Sequence, residues 1–152
     1  MSKLLLEHMR WPEVRAAIEN GMDTVILYAA SIEQHGPHLP ENTDVVLGYA
    51  SAIDLAKRLG NALVAPIIRP GLSSHHMALP GTVTLRPEIF EGLVKDHISA
   101  YVHHGFKKII LSSSHGGNFE TMAKLAQSEN AHYQDRGVTI VSGFSLDTLI
   151  QT

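Results

Sequence analysis

The sequence contains no cysteine, which excludes a disulfide scaffold, a thiol nucleophile and a thiolate metal site. It fits the reducing cytoplasm expected for this chain. Positive charge is not in excess either: 12 Lys and Arg face 15 Asp and Glu, for a formal charge of -3, and the basic residues are scattered. No nucleic-acid footprint results, whereas small neutral or anionic ligands remain open. Long apolar runs are also missing. The N-terminus, MSKLLLEHMRW, has three consecutive leucines before Glu7, too few for a signal peptide's apolar region or a membrane span, so a soluble, intracellular chain is expected. No internal repeat, low-complexity stretch or linker interrupts residues 1–152, which read as a single domain. A G-x-G-x-x-G or Gly-Lys-Ser/Thr signature is absent as well, which leaves Gly116-Gly117 as a poor case for a phosphate loop.

What the chain has in abundance is histidine, ten in all. His8, His97, His103, His104 and His132 fall in segments that read as helices, where a solvated imidazole is the ordinary reading. His35, His38, His75, His76 and His115 fall in loops that follow strands, and these carry the functional interest.

Hydrophobic patterning gives alternating helices and strands. The spacing predicts a helix over Pro12 to Asn20 ended by Gly21, and a doubly covered strand over Thr24 to Ala30. Thr43 is expected to cap a helix to about Leu59 that buries Val46, Ala50, Ile53, Leu55 and Ala56, with Gly60 as its stop. Ala62 to Ile68 reads as the second strand and Thr82 to Leu85 as a short extended piece. Pro87 opens a helix to His104, with Ile89, Phe90, Leu93, Val94, Ile98 and Val102 at helical spacing. Lys108 to Ser113 is the third strand, Gly117-Asn118 opens a helix to about Asp135, and Val138 to Phe144 is the fourth strand. The last residues, SLDTLIQT, look like the beginning of another element.

Strands separated by helices make βα units with right-handed crossovers, so the expected fold class is three-layer α/β/α around a mainly parallel sheet. Ligands of such sheets bind beyond the carboxyl ends of the strands. Three histidine-bearing loops converge there: EQHGPH with Asp44, SSHH with PGT, and SHGGN. Glu33 and His35, two apart on extended chain, share a face and can address one metal ion, with Asp44 returning as a third ligand. Mixed oxygen and nitrogen donors accept Zn, Mn or Fe. Blander readings stand beside these. Glu33 and His35 could simply close a strand end, and His75 reads as a bystander because adjacent residues point apart. Pro80-Gly81 reads as a turn, Gly116-Gly117 as a demand for positive φ, Asn118 as a helix cap, and Glu120 with Lys124 as a solvated helix face.

The elements Glu33 to Pro40 (EQHGPHLP) with Thr43-Asp44, His76 to Leu85 (HMALPGTVTL) and Ser113 to Asn118 (SSHGGN) resemble, in this order, those of the creatininase family of metal-dependent amidohydrolases. The resemblance covers essentially the whole chain. It implies a centre of two divalent transition metals in which Glu33 and His115 hold one ion, His35 the other, and Asp44 bridges. The implied reaction is hydrolysis of a C–N bond in a small amide, cyclic amide or formamide by a metal-activated water. His76 is then the candidate for substrate contact or proton transfer, His38 a supporting group, and Gly116, Gly117 and Asn118 candidates for substrate binding through backbone amides.

The resemblance also implies multimers, commonly hexamers. Family members are longer, with a further His-Ala-Gly-x-x-Glu-Thr-like element completing the pocket, so the chain resembles a C-terminally shortened member. A homo-oligomer, or a partner chain supplying the remainder, is expected, as is the alternative of a non-catalytic metal-binding subunit. Ser113-Ser114 stands where the family has Asn-Gly, and Gly117 where creatininase proper has glutamate. Both departures argue against creatinine itself as substrate.

Overall fold

Thr24–Ala29 (β1) is the central strand of a four-stranded, fully parallel sheet, and all six of its residues are buried. The computed structural model describes residues 3–143. Around β1 the chain runs through Trp11–Glu19 (α1), Thr43–Leu59 (α2), Ala62–Val64 (β2), Pro87–His104 (α3), Lys108–Ser113 (β3), Phe119–Tyr133 (α4) and Thr139–Ser142 (β4). The strand order is β2-β1-β3-β4, with Thr24 beside Ala62 on one side and Lys108 on the other.

Burial of β1 on both faces follows from two separate cores. Val25, Leu27 and Ala29 point to the face covered by α3 and α4, where Phe90, Val94, Ile98, Met122 and Leu125 pack. Ile26, Tyr28 and Ala30 point to the opposite face, covered by Val45, Ala52 and Ala56 of α2. This is the expected three-layer α/β/α arrangement. No helix among the described residues is long and apolar enough to cross a membrane.

Several expectations need correction. Thr43 is the first residue of α2 rather than its cap, and its hydroxyl donates to the Pro40 carbonyl at 2.6 Å. The buried stripe of α2 is Asp44, Val45, Gly48, Ala52 and Ala56, whereas Val46 and Ala50 face solvent. Turning Asp44 inward rotates the stripe away from the purely apolar choice. Ile89 of α3 is likewise exposed, although Phe90, Val94 and Ile98 are fully buried.

The second strand stops at Val64 because Pro66 has no N–H to give the ladder. The chain rejoins β1 only at the single Ala29–Ile68 bridge. Thr82 to Leu85 joins no strand of the sheet. Isolated bridges from Val83 to Ile32 and from Thr84 to Gly71 pin it across the loops that follow β1 and β2. The fourth strand is shorter than expected, and Phe144 and the SLDTLIQT segment lie outside the described residues.

From β1 the chain turns to β2 on one side, then crosses to β3 on the other. The reversal opens a crevice between the carboxyl ends of β1 and β3, the usual ligand position in open parallel sheets.

Candidate metal centre

The crevice receives Glu33 and His35 from the loop after β1, Asp44 from the first turn of α2, His75 and His76 from a 3-10 turn, and His115 from the residue pair after β3. Glu33, Asp44 and His115 are each at most 5% exposed. Two carboxylates buried this deeply need cations or hydrogen-bond donors.

The histidine tautomers follow from what the far nitrogens touch. His115 Nε2 lies 3.1 Å from the Leu72 carbonyl, which can only accept, and 3.3 Å from Ser73 Oγ. Nε2 therefore carries the proton, and the neutral ring aims the Nδ1 lone pair at Glu33 Oε1 (3.0 Å) and Asp44 Oδ2 (3.3 Å). His35 repeats the pattern in mirror form. Its Nδ1 donates to the Glu33 carbonyl at 3.0 Å, which leaves the Nε2 lone pair facing Asp44 Oδ1 at 3.2 Å. Outer hydrogen bonds that fix the tautomer and orientation of an imidazole are characteristic of metal-binding histidines.

Lone pairs facing carboxylate oxygens at this range repel unless protons or cations lie between them. Glu33 Oε2 and Asp44 Oδ2 are buried with no hydrogen-bond partner, which is the same demand seen from the oxygen side. Asp44 offers one oxygen towards His35 and the other towards His115, the disposition required of a bridging carboxylate. The donors thus fit divalent transition metals. Without a metal, burial and then the Glu33 charge push the Asp44 carboxyl above its ordinary pKa. Burial works to lower His35, but its bond to the Glu33 carbonyl and the Asp44 charge outweigh this and raise it.

His76 plays a different part. Gln34 accepts from the Gly36 N–H through Oε1 (3.0 Å), so its amide nitrogen is the atom 2.8 Å from His76 Nδ1 and donates to it. His76 therefore holds its proton on Nε2, 3.9 Å from Glu33 Oε1. It offers a donor to the crevice. Gln34 escaped the sequence reading, since only the fold brings residues 34 and 76 together.

His75, expected to be a bystander, enters the cluster with Glu33 and His115. Alternation of neighbouring side chains holds for extended chain, but residues Ser74–His76 form a 3-10 turn, and the His75 and His76 rings lie 4.2 Å apart. His38 stands outside. It is exposed and covers Gly36, and among the described residues it makes no hydrogen bond or ion pair with the cluster.

The residues flanking His115 form its frame. Ser113 Oγ accepts from the His115 N–H at 3.0 Å, and Ser114 Oγ donates to the Asp44 carbonyl at 2.7 Å, tying the loop after β3 to α2. Asn118 is fully buried. Its amide donates to the Ala30 carbonyl and its oxygen accepts from the Leu72 N–H, so it braces two loops instead of facing a ligand or capping α4. Gly116 and Gly117 are exposed beside His115, and neither has positive φ. Gly117 is required by close approach: a Cβ there would lie 2.4 Å from both His115 Nε2 and the Leu72 carbonyl oxygen. Glu120 and Lys124 form the exposed helix pair expected of them. A groove of about 770 Å³ lined by Trp11, Ile18, Tyr101 and Phe106 shares no residue with the cluster, and among the described residues its histidines and glutamates do not come together as a ligand group.

A parallel α/β sheet with a buried carboxylate and imidazole centre at its switch point defines a metal-binding α/β protein. The family model Creatininase: Creatinine amidohydrolase matches residues 7–150. The chain belongs to this family.

Among curated relatives, it is 32% identical over 124 residues to creatinine amidohydrolase of Pseudomonas putida, covering 78% of this chain and 47% of that one. It is 34% identical over 104 residues to mycofactocin precursor peptide peptidase of Mycolicibacterium smegmatis (65% and 42%). To 3-dehydro-scyllo-inosose hydrolase of Thermotoga maritima it is 33% identical over 97 residues (64% and 31%). The chain spans half or less of these relatives' length. Among solved structures, a zinc–zinc form of a mutant creatininase superposes with a TM-score of 0.83 at 25% identity, covering 100% of this chain and 61% of that one. A manganese creatininase gives 0.81 at 26% identity (93% and 58%).

Proposed function

We propose that this chain forms the metal-binding part of a hydrolase acting on a C–N bond in a small amide, cyclic amide or formamide. The observation that carries the reading is the meeting of the His35 and His115 lone pairs with both oxygens of Asp44 and with Glu33. Zinc and manganese among the solved neighbours support a divalent transition metal, and the hydrolase names of the relatives support the reaction class.

In this reading Glu33 and His115 hold one ion, His35 the other, and Asp44 lies between them. Bound divalent ions supply polarisation of an amide carbonyl and an acidified water. The Leu72 and Glu33 carbonyls keep His115 and His35 in the ligand tautomer. His76 keeps a proton at Nε2 at the rim, where it can be given to the departing nitrogen. Backbone amides of Gly116 and Gly117, exposed beside His115, would meet a substrate oxygen.

A small-molecule substrate, a cytoplasmic setting and self-association complete the proposal. Association is supported by β4, an edge strand among the described residues, whose Val141 is 46% exposed. Elemental analysis after purification, combined with a panel of cyclic amides, formamides and short peptides, tests the reading. About two ions per chain, both lost on Asp44→Ala, and turnover of one substrate class are expected. An ion content of one or none sinks the two-metal hydrolase, and full metal without turnover favours a non-catalytic subunit.

A further inference from the structure

We propose that His75 is a further protein ligand, beside Glu33, His115 and the shared Asp44, of the ion that these residues hold, an inference that rests on the metal-centre reading above. One ligand atom from each of these residues lies within 4.8 Å of the other two. Nitrogen and oxygen ligands bind zinc at about 2.0–2.2 Å, so two ligands of one ion stand at most about 4.4 Å apart. The cluster is within a few tenths of an ångström of that limit before any ion draws it together.

The separation excludes the simpler explanation. Among the described residues His75 forms neither a hydrogen bond nor an ion pair with Glu33, although Glu33 Oε2 is buried and has no partner. The imidazole is near the carboxylate without bonding to it, and the space between suits a shared cation. Its ring lies parallel to that of His115, at 8° and 5.8 Å between centroids, so the two rings approach the carboxylate side by side. The 3-10 turn at Ser74–His76 produces this aim, whereas extended chain would send His75 and His76 to opposite faces.

Gly117 closes the other route to a full ligand shell. A Cβ at that position would overlap His115 Nε2 and the Leu72 carbonyl, so no side chain at 117 reaches the ion without displacing the histidine that holds it. Two histidines and one glutamate form a recognised donor set for catalytic zinc, and Asp44 adds a shared oxygen on the inner side. His75 is exposed while Glu33 and His115 are buried, which puts the ligand from position 75 at the mouth of the crevice.

The test is a Co(II) titration of the metal-free full chain, followed by visible absorption and by competition with a chelator. The wild type, His75→Ala and the distant His104→Ala are compared, with circular dichroism and thermal melts confirming that the metal-free variants are folded. His75→Ala should weaken one Co(II) by at least about tenfold, the low end of what loss of even an outer-shell partner costs, and change the visible spectrum of that ion. His104→Ala should match the wild type. If His75→Ala also matches the wild type in affinity and spectrum, His75 is no ligand and the four-residue centre stands. If the wild type itself takes up no Co(II), the metal centre and the role of His75 fall together.

Discussion

His115 Nδ1 lies 3.0 Å from Glu33 Oε1 while its other nitrogen is committed to the Leu72 carbonyl, so the ring is held with its free lone pair against a carboxylate. Without a metal, the Asp44 carboxyl and the His35 ring nearby are both raised above their ordinary pKa values. Groups raised in the metal-free state keep their protons further up the pH scale. A metal must displace those protons, so affinity rises with pH until they are lost and falls as the solution is acidified. Calorimetric Zn²⁺ titrations at stepped pH, in buffers of different ionisation heat, should report net proton release and this direction of change. A flat affinity profile would contradict the lone-pair geometry.

Gly48 and Ser114 are coupled across α2 and the loop after β3. A Cβ on Gly48 would stand 2.9 Å from Ser114 Oγ, whose bond to the Asp44 carbonyl it would break. Gly→Ala within a helix ordinarily stabilises by about 1 kcal/mol, and a hydrogen bond contributes about 1 kcal/mol net. Gly48→Ala should therefore leave the wild type nearly unchanged but stabilise the Ser114→Ala background by about 1 kcal/mol. A double-mutant cycle by urea unfolding reads the difference, and simple additivity would show that the two sites are independent.

Much of this arrangement was legible in the sequence where local pattern decides. The doubly buried β1, the strand β3, the Pro87 start of α3, the loop positions of Glu33, His35 and His115 and the place of Asp44 at the start of α2 all follow from periodicity and punctuation. What escaped depends on contacts between distant segments. The roles of Gln34 and Asn118 exist only because residues 72 and 76 fold against them. The aim of His75 depends on a 3-10 turn with no apolar period to announce it. Val46 and Ala50 were misplaced because a buried carboxylate at Asp44, which a hydrophobic pattern treats as exposed, sets the inward face of α2.

Asn118→Ala should be among the most damaging single changes outside the ligands. It strands the Ala30 carbonyl and the Leu72 N–H, each of which the Asn118 side chain satisfies at about 3 Å. Leaving a buried polar group unpaired costs about 1–3 kcal/mol, so the two together should cost about 2–6 kcal/mol in chemical denaturation. Gly71→Ala attacks the same brace, since its Cβ would lie 2.5 Å from the Ala30 carbonyl oxygen. Both variants should also loosen metal binding, because Leu72 carries the carbonyl that orients His115. Wild-type stability in either variant would remove Asn118 from the frame.

In α1, Glu13 closes the first turn. Its carboxylate accepts from the Arg10 N–H at 2.6 Å, and that bond, followed by the Arg10 and Lys3 side chains, lowers its pKa to about 2. A folded-state value below the unfolded one means that the contribution is present above the ordinary value of 4.5 and is lost as pH falls towards 2. Protection factors of the α1 amides, corrected for the intrinsic exchange rate at each pH, should therefore fall between about pH 5 and about pH 2, and Glu13→Gln should remove that step. An NMR titration in which Glu13 turns over near its ordinary value would refute the cap.

Gln34 should act on turnover without acting on metal content. Its amide donates to His76 Nδ1 while its oxygen is fixed by the Gly36 N–H, so the pair cannot exchange roles, and the His76 proton stays on Nε2. Gln34→Leu removes the donor and releases both the ring orientation and the tautomer. A positioned proton donor contributes roughly 10²–10⁴-fold, so, for the hydrolase proposed above, a partial loss should lower kcat by about tenfold or more. KM and metal stoichiometry should change little. ¹⁵N correlation spectra of the histidine rings provide a readout independent of activity: the His76 Nδ1 signal should shift as it loses its hydrogen-bond donor. An unchanged His76 tautomer in Gln34→Leu, together with unchanged turnover, would leave His76 oriented by something other than residue 34.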